Sequence, residues 1–204
     1  MKKVADVTKP PFNSVGKLSF KQGEEFFTGT AFVVSQKGLF TAAHNFYSDD
    51  QATTEAYFSL WTSGSDKEPS VWQLDLEQVK YPDGWTEDEE LKDDMAVCKI
   101  ADESFASAAI PLAVSEKDFK KPETIPSTAI GFPTDTDDMY ETSAEAIATS
   151  EGHVMKGGFD IGASGGPWID EDGVVFGITA EAEKGDMSSP LLGQQAAALI
   201  EWLG

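Results

Sequence analysis

Two histidines occur among 204 residues, and one of them, His44, closes the apolar run in FTAAHNF (residues 40–46). Imidazole is the side chain best suited to moving a proton near neutral pH. A serine set between glycines, Ser164, lies in GASGGP (162–167). With few bulky neighbours, such a turn can present its hydroxyl and nearby N–H groups to a substrate. A serine hydroxyl is too weak an acid to attack a carbonyl unaided, and a histidine that accepts its proton supplies the missing activation. Each string alone has a plainer reading: a packed structural histidine, and an ordinary glycine-rich turn. The order of the two along the chain, and a carboxylate to orient the imidazole, decide between them.

GASGG fits the G-x-S-x-G elbow of α/β-hydrolases, but in that fold the histidine follows the serine. Here His44 and His153 both precede Ser164, and the surroundings lack the alternating helices of a parallel sheet. TAAH at His44 is preceded by GTAFVV. YPDGWTEDEELKDDMAV (81–97) runs from a proline-aromatic loop into Asp94-Met-Ala-Val. GASGGP is followed by GVVFGITA (173–180). In order and approximate spacing these strings resemble the chymotrypsin-like (trypsin-like) serine peptidases, over roughly residues 15–203. The absence of disulfides, with Cys98 the single cysteine, makes the chain similar to bacterial members, glutamyl-endopeptidase-like or HtrA-like.

The resemblance implies a catalytic triad of His44, Asp94 and Ser164. His44 would take the serine proton and deliver it to the leaving amine. Asp94 would hold the imidazole in the right tautomer. Asp93 is adjacent, but strand alternation points it the other way. The N–H groups of Gly162 and Ser164 would form an oxyanion hole. A substrate pocket would be walled by Gly158, Phe159 and Asp160 and by Thr179, Ala180, Glu181 and Ala182. Members activated by cleavage carry an aspartate before the serine, which pairs with the freed amine. Ala163 stands there, so that latch is absent. Thr179 replaces the histidine of glutamate-specific relatives, and a P1 carboxylate left without partners is costly to desolvate. The pocket is therefore expected to disfavour acidic P1 residues. The implied function is a serine endopeptidase working through an acyl-enzyme on Ser164, with no metal and no cofactor. The alternatives are a catalytically inactive scaffold that keeps the fold, or an esterase using the same triad.

The elements that must position these residues are short strands. FFTGTAFVVS (26–35), GLFTAA (38–43), AYFSLW (56–61), VWQLDLEQV (71–79), DMAVCKI (94–100), STAIGF (127–132) and GVVFGITAEAE (173–183) are broken by turn residues at near-regular spacing, the pattern of an all-β sandwich or barrel. The expected architecture is two antiparallel six-stranded β-barrels packed together with a C-terminal α-helix. An N-terminal arm (1–11) would precede a first barrel (12–105) carrying His44 and Asp94. A crossing (106–119) would lead to a second barrel (120–187) carrying Ser164. Ser189 as N-cap and Pro190 at the first helical position mark a closing helix (188–204). Leu192, Ala196, Leu199, Ile200 and Leu203 give it one apolar face.

Composition limits the partners. Fifteen basic against 36 acidic residues leave a net charge of −21, which repels nucleic acid and anionic membranes. The expected partner is a protein or peptide substrate, bound by a monomer. DEDG (170–173) starts like a calcium loop but lacks the later acidic ligands. Cys98, in the apolar run MAVCKI (95–100), reads as a buried inert thiol, and His153, with no supporting motif, reads as a structural or surface residue. The opening MKKVADVTKPPF is basic with no apolar stretch behind it. A secreted or periplasmic mature form is expected, with a cytoplasmic protein as the alternative.

Overall fold

The computed structural model describes residues 1–61, 68–134, 136–158, 163–183 and 185–204. After a two-residue strand β1 (Lys2–Lys3), the first sheet comprises β2 (Val15–Gln22), β3 (Glu25–Ser35), β4 (Gly38–Thr41), β5 (Tyr47–Ser48), β6 (Gln51–Leu60), β7 (Ser70–Gln73), β8 (Val79–Lys80) and β9 (Ala96–Lys99). Its order is β5-β6-β2-β3-β4-β9-β8, with β7 on β6. The second sheet comprises β10 (Glu123–Gly131), β11 (Tyr140–Ala148), β12 (His153–Lys156), β13 (Pro167–Ile169), β14 (Val175–Ile178), β15 (Glu181–Glu183) and β16 (Asp186–Ser189). Its order is β14-β13-β10-β11-β12-β16-β15, with β1 on β11. A short helix α1 (Trp85–Asp88) lies between β8 and β9, another, α2 (Glu103–Ala108), lies between the two sheets in sequence, and α3 (Gly193–Leu203) ends the chain. The ladders between these strands are antiparallel throughout. The fold is two curled antiparallel half-barrels with a small C-terminal helix.

Side-chain alternation explains how the halves join. In β3, Ala31 and Val33 face the interior of the first half-barrel, while Phe32 and Val34 face a second cluster shared with the other half. β9 repeats the arrangement: Ala96 and Cys98 point inward, Met95 and Val97 toward the shared cluster. Buried on both faces, these strands read as continuous apolar runs. The shared cluster gathers Phe40 and Ala42 from the first half, Ile130, Phe132, Val175 and Ile178 from the second, and Leu192, Ala196, Leu199 and Leu203 from α3. The second half encloses its own core around Trp168, Met155, Phe176 and Met187.

Several expectations need correction. Among the described residues each sheet counts eight strands where six were expected: β5 and β8 in the first sheet and β1 in the second are two-residue pieces with no sequence pattern, and one expected strand of the second sheet divides in two. The run 173–183 is two strands, interrupted at Thr179–Ala180. The segment 71–79 is broken by a 3₁₀ turn at Leu76–Gln78, capped by the Asp75 carboxylate. Ser189 does not cap the last helix. It ends β16, and its buried hydroxyl accepts from Ile178 N–H at 2.8 Å and donates to Pro190 O at 2.9 Å. Since the hydroxyl ties β14 to β16, the helix starts later, at Gly193. The N-terminal arm pairs with β11 through β1, and Val4 is buried in the shared cluster. The crossing bonds to both halves, through Leu112 N–H to Val33 O and Ser115 N–H to Val175 O.

Candidate active site

His44 sits in a 3₁₀ turn, Ala43–Asn45, at the end of β4. Ala42 and Ala43 are fully buried, and their small side chains let the turn press onto the core while the imidazole projects outward. Asp94 lies at the end of another 3₁₀ turn, Leu91–Asp93, just before β9. Because β4 pairs with β9, Thr41 opposite Ala96, the two turns emerge side by side. Asp94 then holds His44 twice: Oδ1 accepts from the His44 main-chain N–H at 3.0 Å, and Oδ2 lies 2.8 Å from Nδ1. The Asp94 side chain is 5% exposed and that of His44 25%. The carboxylate is thus shielded from water, and one edge of the ring is open.

Electrostatics follow from that placement. Burial of the imidazole favours its neutral form. The charge of Asp94, its hydrogen bond, and the fields of Glu181 and Glu89 outweigh this and hold the His44 pKa above the usual histidine value. With Nδ1–H given to Asp94, the free nitrogen is Nε2, the atom that accepts a proton in this chemistry.

Ser164 comes from the other half, in the turn before β13. Its carbonyl accepts from Thr30 N–H at 2.7 Å and from Asn45 Nδ2 at 3.2 Å. Asn45 is the residue after His44, and its amide also donates to Thr41 Oγ1, which in turn donates to Thr30 O. One buried polar net thus pins the serine turn to the histidine turn. Gly165 makes the approach possible. Its φ is +85°, and a β-carbon there would lie 2.1 Å from Thr41 Oγ1 and 2.2 Å from Thr30 O. At Gly166 a β-carbon would stand 2.1 Å from Ile130 O. No hydrogen bond joins Ser164 Oγ to His44 Nε2 in this geometry. Such bonds are often long in free enzymes and tighten on substrate.

Of the remaining expected site residues, Gly162, Phe159 and Asp160 lie outside the described residues. Gly158 sits against Met187, whose sulfur would be 2.5 Å from an added β-carbon. Thr179 is buried, and its hydroxyl accepts from Trp168 Nε1 at 2.9 Å, facing the core of the second half. Its main chain exchanges bonds with the serine turn, Gly165 N–H to Thr179 O and Thr179 N–H to Gly166 O. Ala180 is buried, and Glu181 and Ala182 are exposed on β15. Thr30, Thr41, Asn45 and Gln22, whose Nε2 donates to His44 O at 3.0 Å, were not singled out from the sequence. The signal they offered was a polar residue inside an otherwise apolar strand end. Asp93 was expected to be turned from His44 by strand alternation, but Leu91–Asp93 is a 3₁₀ turn and not a strand; Asp93 is buried, and its carboxylate accepts from Gln195 Nε2.

Cys98 and His153 are both buried, so of the two readings of His153 the surface one is not met. Cys98 is buried, and burial raises its thiol pKa to about 12. His153 is buried between Phe119, edge-on at 5.2 Å, and Phe176 at 5.4 Å. Among the described residues no three His, Cys, Asp or Glu side chains cluster as metal ligands would. No described helix is long and apolar enough to cross a membrane.

A family model described as a trypsin-like peptidase domain matches residues 29–178. No curated protein sequence matches the chain. Among solved structures, a thermostable serine protease from an extremophilic microorganism superposes with a TM-score of 0.77 at 18% identity, over 93% of this chain and 96% of that one. A Glu endopeptidase gives 0.77 at 16% identity, over 98% and 93%. An inactivated protease paralogue from the scabies mite gives 0.75 at 13% identity, over 99% and 98%. At such identities the likeness is one of fold.

Proposed function

We propose that this chain, which belongs to the trypsin-like peptidase family, is a serine endopeptidase that works through an acyl-enzyme on Ser164. The carrying observation is the grip of Asp94 on both the ring and the main chain of His44, beside a serine turn pinned to Asn45. In this mechanism Ser164 Oγ attacks the peptide carbonyl and its proton passes to His44 Nε2. The new imidazolium is stabilised by Asp94 and donates that proton to the leaving amine. The ester is then cleaved by water, with His44 again as base. Main-chain N–H groups of Gly162 and Ser164 stabilise the oxyanion, as the family resemblance implies.

The fold alone does not require activity, since one neighbour is described as inactivated. The test is Ser164→Ala and His44→Ala. Each is expected to lose most of kcat, on the order of 10⁶-fold by analogy with related triads, with unchanged circular dichroism. Near-normal turnover by either variant rejects the assignment. A fluorophosphonate probe that labels the wild type but not Ser164→Ala separates catalyst from scaffold. Matched peptide and ester substrates separate peptidase from esterase.

A further inference from the structure

Gln195, in the first turn of α3, donates from Nε2 to Asp93 Oδ1 at 2.7 Å, joining residues 102 positions apart. Asp93 is 7% exposed and immediately precedes Asp94. Its other oxygen, Oδ2, would lie 2.6 Å from a β-carbon on Gly84, so the 82–84 loop closes over the carboxylate. Its main chain is tied as well: N–H to Glu90 O at 2.9 Å, and carbonyl to Met95 N–H at 2.7 Å. Asp94 follows with φ −74° and ψ 64°, outside the helical and strand regions, and carries both bonds to His44. Turning the Asp93–Asp94 peptide to move the Asp94 carboxylate would pull Asp93 off its amide donor in a nearly dry site. A buried acceptor left short of a donor is costly.

The helix does not need this bond for its own seat. Ala196, Leu199 and Leu203 pack in the shared cluster with Phe40, Met95 and Val97. At the far end Lys99 Nζ stands 4.8 Å from the Trp202 ring. The helix therefore runs along β9 as a fixed rail, and Gln195 is the point at which it reaches the loop before that strand.

We infer that Gln195 and Asp93 are positioning residues, through which the C-terminal helix fixes the loop bearing Asp94 and keeps that carboxylate in register with His44. This rests on the triad reading above. Three variants test it. Gln195→Met keeps length and packing but removes the donor. Asp93→Asn keeps an acceptor for Gln195, and Asp93→Ala removes it. In Gln195→Met and Asp93→Ala, kcat is expected to fall by up to about 10²-fold with KM little changed, while Asp93→Asn stays near wild type.

The His44 ring is also titrated by NMR. Asp94, Glu181 and Glu89 all raise its pKa. Loosening Asp94 alone should move the titration toward the ordinary histidine value in the two damaging variants. His153, pushed down to about 4, is silent in that range. A general loss of stability would lower the melting temperature without moving this titration. The inference is overturned if Gln195→Met keeps both wild-type kcat and the wild-type His44 titration, or if Asp93→Asn is as damaged as Asp93→Ala. Should Asp93→Ala fail to fold, Gln195→Met decides. Should the wild type cleave no peptide, the peptidase reading fails, and the His44 titration still judges the clamp.

Discussion

Replacing Asp94 by asparagine would preserve the shape of the contact to His44 and remove its charge. In triads of this kind such a change costs about 10⁴ in kcat, because the imidazole is held in the wrong tautomer. The pH profile adds a directional check. In the proposed mechanism the base is neutral His44, whose pKa lies above the usual value. Activity should therefore fall as pH drops through a value above the ordinary histidine range. In Asp94→Asn the residual activity should show that limb at lower pH. His153 has the opposite sign. Burial lowers its pKa to about 4, the nearby Phe176 and Gly152 main-chain groups opposing only weakly, and neither ring nitrogen has a well-formed hydrogen bond. The unfolded chain binds this proton near pH 6.5 and the folded chain only near 4. Stability present above the unfolded pKa is thus lost as pH falls across that window, by up to about 3 kcal/mol. Urea midpoints between pH 7 and 4 should show the slope in the wild type and a smaller one in His153→Phe, whose ring fits between the same two phenylalanines.

The serine turn is the element with least tolerance. Gly165→Ala combines a left-handed backbone with a β-carbon driven into Thr41 and Thr30. Destabilisation of about 2–5 kcal/mol is expected, with activity lost. Denaturant titration and turnover measure the two effects. Gly173, also at positive φ (+80°) but with nothing within 4 Å, is the control, where alanine should cost no more than about 1–2 kcal/mol. The N-terminal strand β1 lies on β11 with Met1 62% exposed. Ala163 is buried, with its β-carbon 2.8 Å from one built on Gly131, and offers no carboxylate to an inserted amine. A short N-terminal tag should leave kcat/KM within a few-fold. A tagged form that is inactive until cleaved would reveal another carboxylate acting as the latch.

At the scale of the whole molecule the net charge of −21 acts on substrate and stability together. Glu181 and Glu89 act on His44 itself, so the site carries the same sign as the surface. Peptides with P1 glutamate should show lower kcat/KM than matched P1 leucine or valine peptides. That gap should narrow in 1 M salt, where the screening length falls from about 8 Å to about 3 Å. Melting temperature should rise with salt over the same range as self-repulsion is screened. A preference for P1 glutamate that persists at low salt would overturn the expectation.

The amino-acid sequence determined the fold class and the candidate triad, because both are written in local terms. Strand alternation, turn residues and the strings around His44, Asp94 and Ser164 survive in a one-dimensional reading. The apolar face of the last helix was legible for the same reason. The polar net behind the candidate triad was not. Thr30, Thr41 and Asn45 gain meaning only when β3, β4 and the serine turn meet across more than 100 positions. The start of the last helix was misread because Ser189 and Pro190 look like a cap until β14 is laid beside β16 and claims the hydroxyl. Asp93 shows the division most clearly. Its sequence position suggested a strand whose alternation would turn it from His44, but the segment is a 3₁₀ turn. That it faces Gln195 was decided only by tertiary packing, since a hydrogen bond between residues 102 apart leaves no periodicity in either segment.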